Sequence, residues 1–306
     1  MADIIARGCS FVNVGVSLRS GYAPVDARVG ARWMVERARA AAAGGLDSLF
    51  VGDHHNVPVP YYQNVAILPR LLAEWDDRPA GALFLLPLWS PLLVAEQVGT
   101  LAAIASGRFI LQTAIGGGRE QFAASGVSLS GRVERFERGL AAVRRLLAGR
   151  EVDGARVAPV TPEPLEVWIG GSAARAIDRA ARLGEGWLAN ADVVPTAARE
   201  QAEVHRDRCA VHGRSPTAVA IRRDVHVGAD PADAERVAGP VVRGGYRGFD
   251  PDAFVVGNVE EVATRFRELA AMGYTDVILR QLAADQRDAL ASIERLAAVR
   301  ELVLDA

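Results

Sequence analysis

One pattern repeats along this chain: a short apolar run, a turn, then an amphipathic helix. Apolar runs with strand character fall at Cys9–Leu18, Ser48–Gly52, Gly81–Pro87, Arg108–Ile115, Leu165–Gly170, Trp187–Ala189, Val219–Val227 and Thr275–Leu279. Helical periodicity falls at Gly30–Ala43, Pro91–Ala105, Arg132–Ala148, Ala173–Leu183, Thr196–His212, Val259–Met272 and Asp285–Val303. Continuous apolar runs alternating with helices mean parallel strands covered on both faces. A doubly wound sheet usually stops at about five or six strands, whereas a closed barrel takes about eight. The predicted fold is therefore α/β, a (β/α)8 TIM barrel, in a single domain over residues 1–306. The Gly- and Pro-rich stretch Gly228–Gly257 is the predicted mobile segment.

Charge narrows the function classes. The formal net charge is −2, which argues against a nucleic-acid groove or an anionic membrane surface as partner. All basic residues are arginine, so Schiff-base and P-loop lysine chemistry is excluded. Cys9 and Cys209 lie too far apart for a zinc motif and read as free thiols in a reducing cytoplasm. The longest charge-free stretch, Pro79–Ala95, is too short to span a membrane and is broken by Pro87 and Pro91.

A barrel places its chemistry at the C-terminal ends of its strands. The second run exits into Gly52-Asp53-His54-His55-Asn56, a polar cluster on a proline-stiffened loop. A histidine there titrates near neutrality, and a neighbouring carboxylate can orient it for acid/base work. No metal site is predicted, because adjacent histidines rarely reach one ion and no third ligand is evident. The fourth run exits into Gly116-Gly117-Gly118-Arg119, where backbone can approach a ligand closely. The fifth exits into Gly170-Gly171-Ser172, with Ser172 as the expected cap of a helix whose first turn carries Arg175. Exposed N–H groups at such a helix start suit an anion.

With these motifs in hand, the chain resembles the bacterial luciferase-like monooxygenases, barrels that use FMN or the deazaflavin coenzyme F420. The resemblance rests on Gly45–His55, Ser90–Gln97 with Ser106–Phe109, Leu165–Ser172 with Ala180–Trp187, and Val256–Val262, which follow in order over most of the chain. It implies that Asp53 and His54 lie beside the flavin ring, with His54 as acid/base and Asp53 orienting it. It implies that Ala82, Leu83 and Phe84 lie on the third strand beneath the ring. Gly116 matches the glycine ending the fourth strand, and Gly170, Gly171 and Ser172 match the turn that holds the cofactor phosphate. Where luciferases carry a reactive cysteine and a phosphate-binding arginine, this chain has Ala114 and Ile115. Arg119 or Arg175 is then the replacement charge.

The function implied is a cytoplasmic oxidoreductase, a monooxygenase using reduced FMN and O2. Phe84, Leu86, Leu88 and Trp89 suggest a largely apolar small-molecule substrate. The alternative is F420-dependent hydride transfer by a reductase or dehydrogenase. A third reading, from another class, is a non-catalytic subunit that binds a ligand or stabilises a partner. A flavin or F420 reductase supplying the reduced cofactor is an implied partner, and a homodimer the implied assembly.

Overall fold

Closely spaced parallel strands are the basis of the fold, and Gly81 shows how close they come. A Cβ at Gly81 would stand 2.1 Å from the carbonyl oxygen of Ile110 on the neighbouring strand, so only glycine fits. The structure is a computed structural model that describes residues 12–22, 25–158 and 161–304. Cys9 and the start of its predicted strand lie outside the described residues.

The elements follow in chain order. The first half holds β1 (Asn13–Leu18), α1 (Ala27–Ala43), β2 (Ser48–Val51), α2 (Asn64–Leu72), β3 (Ala80–Phe84), α3 (Pro91–Ile104), β4 (Phe109–Thr113), α4 (Arg119–Ala124) and α5 (Arg132–Leu147). The second holds β5 (Glu166–Gly170), α6 (Ala174–Leu183), β6 (Gly186–Ala189), α7 (Pro195–Val211), β7 (Ala218–Val227), α8 (Pro231–Arg243), β8 (Val255–Gly257), α9 (Val259–Ala271), β9 (Asp276–Gln281) and α10 (Gln286–Leu304). Local chemistry explains several helix starts. Pro91 and Pro195 occupy first-turn positions where a missing N–H costs nothing. Asp230 caps α8 by accepting from Asp233 N, and Asn258 with Glu261 forms a full capping box on α9.

The hydrogen-bonded strand order is β6-β5-β4-β3-β2-β1-β9-β7, with β6 also paired to β7. That connectivity is a (β/α)8 barrel, as the alternation of runs and helices predicts. The additional strand, β8, is three residues long and, among the described residues, pairs with the far end of β7. It falls, with α8, in the stretch predicted to be mobile. Gly228–Gly257 therefore carries regular structure: Asp230 and Pro231 start a helix there, and Ala238, Phe254 and Leu282 bury one another.

The chain packs as two compact units: Arg19–Val35 with Phe50–Ile169, and Met1–Leu18 (described from Val12) with Glu36–Leu49 and Gly170–Ala306 (described to Leu304). In the former, β3, β4 and β5 pair in parallel from Ala80↔Phe109 and Ile110↔Glu166 onward. Phe50 packs on Trp168 with ring centroids 5.4 Å apart. Trp168 Nε1 donates to Glu166 Oε1 at 2.7 Å, and Arg108 pairs with the other carboxylate oxygen at 2.6 Å. In the latter, β1, β9 and β7 pair in parallel, with Asn13↔Asp276 and Ala220↔Asp276 in register. Asp47 accepts from Val14 N at 2.7 Å and from Arg300 at 2.7 and 2.9 Å, which ties α10 to the start of β1. Trp187 stacks on His205 at 4.8 Å, with Cys209 buried one turn along α7, Sγ 3.5 Å from His205 Nε2.

Candidate functional site

Asp53 lies two residues beyond the end of β2, and its side chain is buried. Its Oδ2 accepts from Leu85 N and from Trp89 Nε1, both at 2.8 Å. Its Oδ1 lies 3.0 Å from Nε2 of His55. A carboxylate anchored at Oδ2 by two donors cannot swing, so Oδ1 faces the imidazole in one fixed orientation as its ionic partner. The His55 backbone N–H donates to Gln121 Oε1 at 3.4 Å, and the ring lies 5.8 Å from Trp89. The bond to Asp53 raises the pKa of His55 above its ordinary value, against a lowering by partial burial. The pairing therefore stabilises the imidazolium relative to that of an unpaired histidine.

The expectation that Asp53 orients His54 is corrected here: the ring it faces is that of His55. The reason is local. Strand alternation stops at Val51, residues 52–55 are irregular, and Asn56 takes a left-handed φ of 54°. In that tight turn the residue two beyond Asp53 folds back onto it. His54 is exposed, with its ring 6.2 Å from that of Tyr61 and its carbonyl accepting from Gln63 Nε2.

The end of β3 supports the same cluster. Leu85 leaves strand geometry, with φ −79° and ψ 76°, and this turns its N–H toward Asp53. Ala82 and Phe84 are wholly buried, whereas the Leu83 side chain, on the opposite face, is half-buried. Of the three, Leu83 has the side chain open to a ligand. Phe84 meets Trp89 edge-on at 5.2 Å. Gly116 has φ 66° and packs against Leu85 and Phe122, while Gly117 opens onto free space. Arg119 starts α4 and is exposed.

The turn Gly170-Gly171-Ser172 lies in the other unit. Gly171 has φ 143°, a conformation reserved for glycine, and a Cβ there would stand 2.7 Å from that of Ala176. Its N–H donates to Leu188 O, and its carbonyl accepts from Trp187 Nε1 at 2.7 Å. Ser172 does not cap α6 as its position predicts. Ala173 is the cap residue, without a side-chain bond, and Ser172 Oγ instead accepts from Asn190 N at 2.9 Å. A serine one residue further from the helix finds a nearer donor in the chain after β6. Ala174 and Arg175 open the helix, where N–H groups have no acceptor one turn back, and the Arg175 side chain is exposed.

Residues 12–302 match the luciferase-like monooxygenase family. The chain belongs to this family. The YddN protein of Bacillus subtilis (strain 168) is 29% identical over 178 residues, covering 56% of this chain and 52% of that protein. The chain thus aligns with about half the length of that relative. A type II Baeyer–Villiger monooxygenase, the oxygenating constituent of 3,6-diketocamphane monooxygenase of Pseudomonas putida, has been solved with FMN. It superposes with TM-score 0.76 at 16% identity, over 94% of this chain and 97% of that one. An F420-dependent secondary alcohol dehydrogenase, solved with an F420–acetone adduct, gives the same TM-score and identity over 96% of this chain and 99% of its own. Luciferase-like enzymes are thus oxidoreductases that use a flavin or F420.

The residues present fit parts of such a cofactor. Unsatisfied backbone donors and Arg175 at the start of α6 have the chemistry of a phosphate cradle. The partly open Trp89 offers apolar surface beside the titratable imidazole of His55. Among the described residues, no group of three or more His, Cys, Asp or Glu is placed to hold a metal ion. No helix of the described residues is long and apolar enough to cross a membrane. Sequence reasoning did not assign Gln121 to the site and took Trp89 only as an apolar wall. An indole is also a donor, and a buried carboxylate nearby is the signal that a donor is needed.

Proposed function

We propose that the chain is a reduced-FMN monooxygenase acting on a largely apolar small molecule. The observation that carries this reading is His55, paired with the buried Asp53 and beside Trp89. Because Nε2 of His55 faces Asp53, Nδ1 is the atom left to give or take a proton. Asp53 stabilises the imidazolium formed when Nδ1 accepts that proton, and Trp89 and Leu85 keep the carboxylate aimed. His55 thus takes the acid/base role that strand alternation gives to His54. Backbone at Gly116 and Gly117 gives close approach to a ligand, and the α6 start with Ser172 and Arg175 takes the cofactor phosphate. The bound cofactor supplies the electrons and the reaction with oxygen. A flavin reductase would supply it in reduced form.

The second reading, F420-dependent reduction or oxidation of a carbinol or carbonyl, is favoured by the Asp-His arrangement and by the likeness to the alcohol dehydrogenase. Titration of the protein with FMN, reduced FMN and F420 separates the two. Tight binding of reduced FMN with substrate-dependent oxygen uptake supports the monooxygenase. Binding of F420 alone, with turnover under anaerobic conditions, replaces it with the second reading. Binding of none of the three overturns both.

A further inference from the structure

Parallel strands offer ligands the space beyond their C-terminal ends, and the ends of β7 and β9 carry an unusual set of charges. The register pairs Arg222 with Ile278 and Asp224 with Arg280, so all four side chains leave one face of the sheet. Ile278 identifies that face: its Cδ1 lies 2.9 Å from where a Cβ on Gly15 would stand. The opposite face, with Val225, Val277 and Leu279, is fully buried, and α10 packs on these two strands.

Asp224 is fully buried. Arg247 Nη1 bonds its Oδ2 at 3.0 Å, reaching in from the loop between α8 and β8. Arg247 is itself fixed from two further directions. Its backbone has a left-handed φ of 59°, uncommon for a residue with a Cβ, and its guanidinium lies 4.4 Å over the Phe249 ring. Arg280 differs. Its side chain is 24% exposed, its nearest carboxylate oxygen, Asp224 Oδ1, is 4.0 Å from Nε, and that buried Nε donates no hydrogen bond among the described residues. Oδ1 of Asp224 accepts none either.

A guanidinium presents five donors, and burying one of them, here Nε of Arg280, without a hydrogen-bond partner is costly. Such a group persists in a fold where something else completes it. Asp224 cannot do so, because one carboxylate faces two guanidiniums at hydrogen-bond or ionic distance. The excess is cationic, partly open, and held rigidly by a buried acid. We propose that Arg280 and Arg247, positioned by Asp224, form a binding site for the oxyanion of a small carboxylate- or phosphate-bearing ligand. The planar fork of arginine matches either oxyanion in a two-pronged contact. Asp224 touches no ligand in this arrangement and is a positioning residue.

The test is calorimetric titration of the cofactor-free full chain with inorganic phosphate and with hexanoate, using hexanol as the uncharged control. Saturable binding of phosphate or hexanoate, and not of hexanol, is expected. Arg280→Met should weaken that binding by about tenfold or more, the cost of losing one charge-assisted pair. Arg247→Gln, which keeps a side-chain amide able to donate to Asp224, should weaken it as well, with circular dichroism confirming that each variant folds. Parallel titrations of both variants with FMN and with F420 identify the source of the oxyanion. Unchanged cofactor affinity assigns it to a substrate, and a matching loss assigns it to the cofactor. No saturable binding of either anion by the parent, or equal anion binding by the parent and both folded variants, overturns the proposal. Because the anions are titrated without cofactor, this result stands apart from whether reduced FMN or F420 is the coenzyme.

Discussion

Nε2 of His55 lies 3.0 Å from Oδ1 of Asp53, and the other oxygen of that carboxylate is anchored by Leu85 N and Trp89 Nε1. This makes a histidine fixed at one nitrogen and open to chemistry at the other. It also sets an order of dependence: the turn after β2 places His55, and the end of β3 with Trp89 fixes Asp53. The pairing is testable directly. Asp53→Asn keeps an oxygen that can accept but removes the charge, so the His55 pKa should fall below 6.5, since the lowering by burial remains. A ring-proton titration by NMR reads this, and an unchanged midpoint would show that Asp53 does not set it.

The same pair links stability to pH. The folded pKa of His55 is raised, so its contribution to stability is complete below about 6.5 and is lost as pH climbs through the raised value. In the Asp53→Asn variant this alkaline-side loss should disappear from a series of denaturant midpoints taken across that window.

Turnover separates the two histidines. General acid/base catalysis contributes about 10²–10⁴-fold. His55→Asn is therefore expected to lower kcat by about a hundredfold or more, with cofactor affinity nearly unchanged. His54→Asn, altering an exposed side chain, should cost less than about tenfold. The reverse order of losses would return the role to His54.

Gly171 is constrained by shape before any ligand arrives. Gly171→Ala forces a side chain into φ 143° and against Ala176. The expected destabilisation is about 1–3 kcal/mol, measured by thermal or denaturant unfolding. For this reason Arg175→Ala, at an exposed position, is the cleaner probe of the phosphate cradle. It should weaken cofactor binding without moving Tm.

His205 predicts an acid limb of a different origin. Buried against Trp187, it has its pKa pushed down to about 4 by desolvation. The unfolded chain binds that proton more readily, so stability falls as pH drops from about 6.5 toward 4, by at most about 3 kcal/mol. His205→Phe preserves the stacking and should flatten this limb. A limb of unchanged depth in that variant would assign it to other groups.

What the sequence determined by itself is the part governed by local pattern. Eight apolar runs and the helices between them prescribe the alternation, because burial on both faces and a period of 3.6 are written in consecutive residues. The glycine turns at 116 and 171 are legible for the same reason. Four elements escaped it: β8, α4 and α2, of three, six and nine residues, are too short for a clear period, and α8 lies in a stretch whose glycines and prolines read as mobile. Tertiary structure alone decided which histidine Asp53 faces, where Ser172 finds its partner, and that Arg247 and Arg280 meet at Asp224. Each of these depends on where a chain turns after a strand ends, or on residues tens of positions apart. Alternation carries no information past the last residue of a strand. A hydrogen bond reaches whichever donor the fold brings within about 3 Å.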